Sequence, residues 1–234
     1  RRYAEKLVRK FEPDLIISDS RFGFRSGHVR SVIISHQLNL KVWKGVLGWV
    51  MDKVNERLLN KFNAVWIPDT RESTLSGRLS INPRIKNQYF IGPVSRLEKI
   101  PNTEKYFIAL LLSGPENART KLECRLIDIF SNSTKNIVLV RGTTKGPKLE
   151  LGANWTVYNR IDTKLMNQII SASKHIISRS GYSSIMDYYH LGRGAFIIPT
   201  PSQAEQLYLA KHLNHNFNFR KIMESELGKL KVLA

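Results

Sequence analysis

The chain has 234 residues, enough for one large or two ordinary domains, and its hydrophobic content of 42% supports packed cores. It contains 37 Lys and Arg residues against 19 Asp and Glu residues, so its net charge is +18. No apolar run approaches the roughly 18 residues that a membrane-spanning helix needs, and a single cysteine excludes a framework of internal disulfides. The charge favours an anionic partner, such as a membrane surface, an anionic substrate or nucleic acid, without choosing among them.

The first part of the chain alternates short apolar runs with polar segments, the pattern of an α/β fold with a parallel sheet. The predicted elements are a helix at 1–11, strands at 15–18, 32–34, 64–67 and 89–91, and a long helix at 41–62.

The long helix has an apolar stripe at helical spacing, with basic residues beside it. Its predicted members are Trp43, Val46, Leu47, Val50, Val54 and Leu58, and Trp49 lies outside it. One interpretation is a helix whose stripe faces the core. The other is a helix whose basic, Trp-containing face contacts anionic lipid.

Residues 94–102 have the composition of a linker, which predicts two domains, at 1–94 and 95–234. The alternation then starts again. In the second domain, strands are predicted at 106–112, 137–140, 155–158, 175–178 and 195–198, and helices at 117–130, 162–171, 182–191 and 221–230. Cys124 lies in the first of these helices and is predicted to be a buried, structural cysteine.

Polar residues follow the predicted strands, where parallel sheets bind their ligands. In the first domain Asp19 ends one strand and His36 follows the next. The two form a candidate catalytic pair, a general base and the carboxylate that orients it. The alternative is that both are ordinary polar residues at strand ends.

Two junctions of the second domain have the residues of a phosphate-binding turn. Ser113-Gly114 and Ser180-Gly181 each separate an apolar strand from a helix. Backbone amides at such a helix N-terminus can bind phosphate, and glycine allows close approach. Ser184 could add a hydroxyl, and Asp187, about two turns into the helix, could accept hydrogen bonds from a ribose.

The last candidate residues are Glu205 and Gln206, which open another helix and could bond the hydroxyls of a sugar. Singly, such residues are more typical of helix caps or solvated polar groups. Together, at neighbouring strand ends, they predict a nucleotide-sugar pocket. The chain has no Asp-x-Asp pair, so no metal-held diphosphate and no cofactor besides the donor are expected.

The segments SRSGYSSIMD, at 178–187, and IIPTPSQAEQLYLA, at 197–210, resemble GT-B glycosyltransferases. The similarity is greatest to the MurG-like enzymes, which add N-acetylglucosamine to a lipid-linked peptidoglycan precursor. The family pattern is S/C-R-[SA]-G-x-x-[ST]-x-x-E, followed by a strand ended by proline and a Gln-Gln pair. LLSGPE, VIISHQLN and YFIGPVSRL are weaker similarities, and the resemblance runs from about Asp14 to Leu213.

The resemblance implies a donor site for a UDP-sugar in the second domain. Asp187 stands where the family has a ribose-binding Glu. Gln206 corresponds to the second Gln of the pair, which contacts the sugar, and Glu205 replaces the first. Arg179 would offset the charge of the leaving group. The residues placed around the diphosphate are Ser113, Gly114, Ser180, Gly181 and Ser184.

The resemblance also implies two Rossmann-like parallel-sheet domains, the first incomplete, because the family's first glycine-rich loop is expected upstream of Arg1. The segment alone is therefore expected to be inactive. His36 corresponds to the family's acceptor-side histidine. The implied reaction is inverting and metal-independent: a sugar passes from a UDP-sugar to the hydroxyl of an acceptor, which is a lipid-linked or cell-envelope glycan.

Two other functions stay open: a UDP-sugar 2-epimerase on the same architecture, and a non-catalytic binding module. No specific nucleic-acid partner is expected, because the chain has neither a dense Lys/Arg run nor a known reading motif. The single cysteine and the basic surface predict a cytoplasmic protein that is peripheral on the inner face of the plasma membrane.

Overall fold

A computed structural model describes residues 2–40, 46–72, 74–101, 103–144, 146–147 and 149–234 of the chain. The chain divides into two compact units, Arg1–Val94 and Ser95–Ala234. Each unit is built on its own parallel sheet, as the alternation of strands and helices predicts. None of the helices in the described residues is both long enough and apolar enough to cross a membrane.

The first unit has a four-stranded sheet whose strands follow the chain order. Its elements are α1 Arg2–Phe11, β1 Leu15–Asp19, β2 Arg30–Ile34, α2 Val46–Leu59, β3 Ala64–Ile67, a 3-10 turn Gly77–Ser80 and β4 Gln88–Phe90. The apolar residues of β2 and β3 form the core together with Leu38, Leu59, Phe62 and Ile85.

The buried face of α2 differs from the predicted apolar stripe. Val50 and Val54 are exposed, as is Trp49, whereas Asp52 and Asn55 are buried. The prediction of a core-facing stripe is therefore wrong for this part of the helix. Its first part, residues 41–45 with Trp43, lies outside the described residues.

Hydrogen bonding explains why polar side chains of α2 face inward. The Asp52 Oδ1 accepts from the backbone N–H of Leu40 at 2.9 Å. The Asn55 Nδ2 donates to the backbone carbonyl of Gln37, also at 2.9 Å. The segment after β2 has no strand partner for these backbone groups, and buried backbone groups must be paired.

The second unit has a six-stranded sheet in the order β10-β9-β8-β5-β6-β7. Its elements are β5 Tyr106–Leu111, α3 Glu116–Phe130, β6 Ile137–Val140, β7 Trp155–Tyr158, α4 Thr163–Ser171, β8 Ser173–Arg179, α5 Tyr182–His190, β9 Phe196–Ile198, α6 Ala204–Leu213, β10 Arg220–Lys221 and a 3-10 segment Glu224–Leu233. The predicted helix at 221–230 is thus replaced by β10 and the 3-10 segment.

The strand order reverses beside β5. The chain runs outward from β5 through β6 and β7, then returns to the other side of β5 as β8 and continues to β9 and β10. Leu111 in β5 pairs in register with Ser178 in β8, so the turns after these two strands begin side by side. The carboxyl ends of β5 and β8 therefore flank the topological switch point, where open parallel sheets bind ligands.

Helix α3 corrects the prediction for the cysteine. Its apolar buried face is formed by Leu122, Leu126 and Phe130, which are four residues apart and lie on one side of the helix. Cys124 is off this face and is exposed. The prediction of a buried cysteine is wrong, because the helix turns Cys124 to solvent.

Gly142, in the turn after β6, allows a close backbone approach. Its φ is +67°, and a Cβ there would lie 2.3 Å from the carbonyl oxygen of Leu112. We expect Gly142→Ala to lower the free energy of unfolding by about 2–4 kcal/mol, through backbone strain and overpacking. Urea unfolding followed by circular dichroism measures the loss.

The matched control is Gly228→Ala in the 3-10 segment, where a Cβ would meet no atom within 4 Å. It should stay within about 1 kcal/mol of the wild type. Equal losses in the two variants would contradict the steric argument.

Candidate functional site

Three turns come together at the carboxyl edge of the six-stranded sheet, after β5, β8 and β9. Ser180 Oγ, in the turn after β8, donates to the backbone carbonyl of Gln206 at 3.0 Å. The side chain of Gln206 accepts at Oε1 from the backbone N–H of Thr200, at 2.9 Å, in the turn after β9. A Cβ on Gly114, in the turn after β5, would lie 3.9 Å from Thr200 Oγ1. The fold therefore makes neighbours of the two predicted phosphate turns and the start of α6.

Each of these turns leads into a helix N-terminus. The N-cap residues of α3, α5 and α6 are Pro115, Gly181 and Gln203, and none of these three side chains caps a backbone N–H group of its helix. In contrast, Asp162 caps α4 by accepting from the N–H of Leu165 at 2.8 Å. Uncapped amides carry partial positive charge and donate readily to anions, so this edge suits a phosphate group.

Thr200 has an unsatisfied hydroxyl at the same edge. Its side chain is 3% exposed, and no described residue forms a hydrogen bond with its Oγ1. A buried hydroxyl without a partner costs about 1–3 kcal/mol, so the Thr200 hydroxyl beside Gly114 is a candidate donor to a ligand. Thr200 was not predicted from the sequence, since its only sequence signal is its position two residues after a strand.

Arg179 lies beneath the turns. Its Nη1 donates to the Pro199 carbonyl at 3.1 Å and to Glu224 Oε1 at 2.7 Å, and its Nη2 donates to the Ala118 carbonyl at 2.9 Å. The side chain is 2% exposed. The sequence interpretation placed this guanidinium on the leaving group. The structure instead places it inside the unit, with its charge offset by Glu224.

Glu205 and Gln206 are half-buried in the first turn of α6. The Gln206 Nε2 donates to Gln203 Oε1 at 2.6 Å, while its Oε1 accepts from Thr200. The amide of Gln206 therefore braces its own turn, a role that the sequence interpretation did not foresee.

The site residues of α5 are held by contacts within the second unit. Asp187 Oδ1 accepts from Ser95 Oγ at 2.6 Å. Ser184 forms a side-chain hydrogen bond with Tyr188, which Ser178 also hydrogen-bonds. Burial outweighs both bonds and raises the pKa of Tyr188 to about 12, so its phenol stays protonated at neutral pH.

An ion network connects the exposed Glu116, in the first turn of α3, to the buried Arg119 and Glu123. Arg119 donates to Glu116 Oε1 at 2.5 Å and to the backbone carbonyl of Arg141 at 2.9 Å. Arg141 in turn donates to Glu123 Oε1 at 2.8 Å. The hydrogen bond from Arg119 lowers the pKa of Glu116. Since Arg119 offsets the charge of Glu116, that carboxylate repels an anion at this N-terminus less strongly.

In the first unit, Asp19 is the last residue of β1, and His36 follows the neighbouring strand β2. Asp19 pairs in register with Ile34, two residues before His36, so both lie at the same edge of their sheet. Asp19 is exposed and accepts from Ser20 Oγ at 3.3 Å. His36 is half-buried and has contacts of its own within the chain. Their catalytic roles stay predictions.

The geometry of the second unit agrees with its sequence relatives. Residues 119–233 match the glycosyltransferase family 28 C-terminal domain. The chain also aligns over 223 residues, at 25% identity, with an uncharacterized glycosyltransferase of Methanosarcina acetivorans. That alignment covers 86% of this chain and 58% of the relative, so the chain spans little more than half the length of that protein.

Solved glycosyltransferase structures share the fold at low identity. The glycotransferase of kitacinnamycin superposes with a TM-score of 0.61 at 14% identity, over 98% of this chain and 70% of that one. Arabidopsis thaliana UGT89C1 complexed with UDP-L-rhamnose gives 0.65 at 12%, over 98% and 66%. Os79 from O. sativa, in complex with UDP and deoxynivalenol-3-glucoside, gives 0.62 at 12%, over 95% and 68%. The predicted GT-B fold is confirmed, whereas a MurG-like specificity stays a prediction.

The ion pair between Arg179 and Glu224 can be tested for its contribution to stability. We expect Glu224→Gln to lower the free energy of unfolding by about 3 kcal/mol, because it leaves the buried Arg179 charge unpaired. Urea denaturation measures the change. Glu226→Gln is the control in the same segment, since the exposed pair of Glu226 with Lys229 contributes little. A loss at Glu224 no larger than at Glu226 would refute the role of the buried pair.

Proposed function

We propose that the chain takes part in glycosyl transfer and binds a UDP-sugar at the carboxyl edge of its six-stranded sheet. The observation that carries the proposal is the meeting of two uncapped strand–turn–helix junctions at the switch point between β5 and β8. The family match over residues 119–233 supports the transferase class. Two similar structures are complexes with UDP-L-rhamnose and with UDP, and these ligands support a uridine diphosphate donor.

The diphosphate lies against the N-termini of α3 and α5 in this proposal. Ser113 and Gly114 are exposed there, and the φ of +102° at Gly114 opens the backbone toward the ligand. The backbone of the turn at Ser180 faces the diphosphate. The Ser180 hydroxyl does not, because it already donates to the backbone carbonyl of Gln206. The unsatisfied Thr200 Oγ1 donates the additional hydrogen bond.

The nucleoside and the sugar occupy neighbouring positions. Asp187, oriented by Ser95, accepts from the ribose hydroxyls. Glu205 and Gln206 lie nearest the sugar, and Gln206 exchanges its bond with Gln203 for one to a sugar hydroxyl. Contacts with Glu205 and Gln206 determine which donor sugar binds.

The proposed reaction is inverting and metal-independent. An acceptor oxygen attacks the anomeric carbon from the face opposite UDP, the bond from that carbon to the UDP oxygen breaks, and the acceptor proton passes to a general base. Helix N-termini stabilise the departing diphosphate charge. His36 is the proposed general base, and Asp19 is the carboxylate that orients it.

Removing the hydroxyl of Thr200 should affect ligand binding and stability in opposite directions. We expect Thr200→Val to raise the free energy of unfolding by about 1 kcal/mol, because valine has the shape of threonine but lacks the unsatisfied buried hydroxyl. The same change should weaken UDP binding about tenfold, since a hydrogen bond to a charged ligand is lost. Calorimetric titration with UDP and urea unfolding measure the two effects.

The control is Thr156→Val on the outermost strand β7, which should leave UDP affinity unchanged. Asp187→Ala should weaken the binding of UDP, and Gln206→Ala should weaken the binding of a UDP-sugar more than that of UDP, if the ribose and sugar contacts are as proposed. Absence of UDP binding in the wild-type chain would overturn the proposal. Interconversion of a UDP-sugar without any acceptor would indicate an epimerase instead.

We further propose that the acceptor is lipid-linked and that α2 rests on an anionic membrane surface. Trp49 is 60% exposed, Val50 and Val54 are exposed beside it, and Lys53 and Arg57 flank them. This placement implies a cytoplasmic protein at the inner face of the plasma membrane.

Vesicle binding tests the membrane surface. We expect Trp49→Ser to weaken co-sedimentation with phosphatidylglycerol vesicles about tenfold, because a large apolar side chain no longer inserts. Tyr89→Ser, at an exposed aromatic residue on β4 of the same unit, is the control. Equal effects of the two substitutions would contradict a specific role for α2.

A further inference from the structure

A cavity of about 340 Å³ lies at the opposite edge of the six-stranded sheet. It is bordered by the amino-terminal ends of β8 and β9, the turn at 192–195 and the loop before β10. Its volume falls in the range of small-molecule pockets, roughly 300–1,000 Å³. Strand β8 has seven residues, so at about 3.3 Å per residue this edge lies roughly 20 Å from the turn at Gly181.

The charged side chains that line the cavity all belong to basic residues. Lys174, Arg193 and Arg220 line it together with His175, and no Asp or Glu is among the lining residues. Arg193 Nη2 donates to the backbone carbonyls of Ser173 and Lys174, which holds its guanidinium at the wall. Close like charges without a carboxylate between them leave a positive potential in the cavity.

The loop before β10, which contributes Asn218 to the cavity, has a strained backbone. Three non-glycine residues of the loop before β10 have positive φ: His215 at 68°, Phe217 at 49° and Asn218 at 62°. A Cβ on Gly194 would lie 2.2 Å from the Asn218 carbonyl oxygen, so only glycine fits the facing turn. Each positive φ costs about 1–3 kcal/mol, and such strain concentrates at functional sites.

We propose that this cavity binds a phosphate-bearing anion at a site separate from the donor edge. Lys174 and Arg220 are exposed, and Arg220 Nη1 contacts His215 Nδ1, while Arg193 is half-buried and donates to the backbone of β8. A phosphate group accepts charge-assisted hydrogen bonds from all three and neutralises the cluster. The imidazole of His175 lies at the floor, between the rings of Phe107 and Phe196.

His175 is a reporter inside the cavity. Burial lowers its pKa, and the charges of Lys174 and Arg193 lower it further, against an opposing effect of Glu104. A bound anion reverses part of this effect, so the pKa of His175 should rise when the site fills. At the donor edge an anion is too distant to produce the same change.

The experiment is a pH titration of the His175 imidazole by NMR, with and without inorganic pyrophosphate. We expect pyrophosphate to raise the pKa of His175. Lys174→Gln and Arg220→Gln, both at exposed side chains, should each weaken the binding about tenfold. Lys121→Gln and Lys164→Gln remove the same charge from exposed positions on α3 and α4 and should leave it unchanged.

A second arm identifies the source of the phosphate. Glycerophosphoglycerol, the soluble headgroup of phosphatidylglycerol, replaces pyrophosphate in the same titration. A response to this headgroup supports a lipid ligand, and a response to pyrophosphate alone supports a soluble phosphorylated compound. A pKa of His175 that neither compound moves, or equal losses in the control variants, overturns the site. UDP binding at the donor edge is measured separately, so either proposal can fail without the other.

Discussion

The second unit depends on one buried charge. The guanidinium of Arg179, at the end of β8, joins Ala118 in α3, Pro199 after β9 and Glu224 in the 3-10 segment. A buried charge is tolerated only when it is paired and hydrogen-bonded, so these three elements must converge on the strand end. The convergence brings together the turns above Arg179, where the candidate site lies.

In the two proposals, the two edges of the same sheet bind anions by different physical means. At the carboxyl edge the positive potential comes from backbone amides at uncapped helix N-termini, aided by the unsatisfied hydroxyl of Thr200. At the amino edge it comes from the side chains of Lys174, Arg193 and Arg220. Backbone amides have a fixed geometry, which suits a ligand that must be positioned for a reaction. Exposed lysine and arginine side chains are flexible and can adapt to ligands of different shape.

The fold was predictable where local periodicity is strong, and the candidate site only in part. Ile137–Val140 and Trp155–Tyr158 are strands at the predicted bounds, because short apolar runs between turn signals leave few alternatives. Helix α2 was misread because Asp52 and Asn55 face inward to bond the backbone after β2, which no periodicity reveals. The turns at Gly114 and Gly181 were predictable as strand–helix junctions from their residue types alone, and their binding of phosphate stays a prediction.

The sequence by itself determined the parallel α/β alternation and the residue types at the strand ends, since both depend on neighbours close in the chain. Only the tertiary structure decided which of those side chains face a ligand. Arg179 turned inward because its counter-ion lies 45 residues away, and the Ser180 hydroxyl is engaged by a carbonyl 26 residues away. Thr200 became a candidate only in the structure for the same reason. Whether a buried hydroxyl has a hydrogen-bond partner depends on distant segments that only the folded chain brings together.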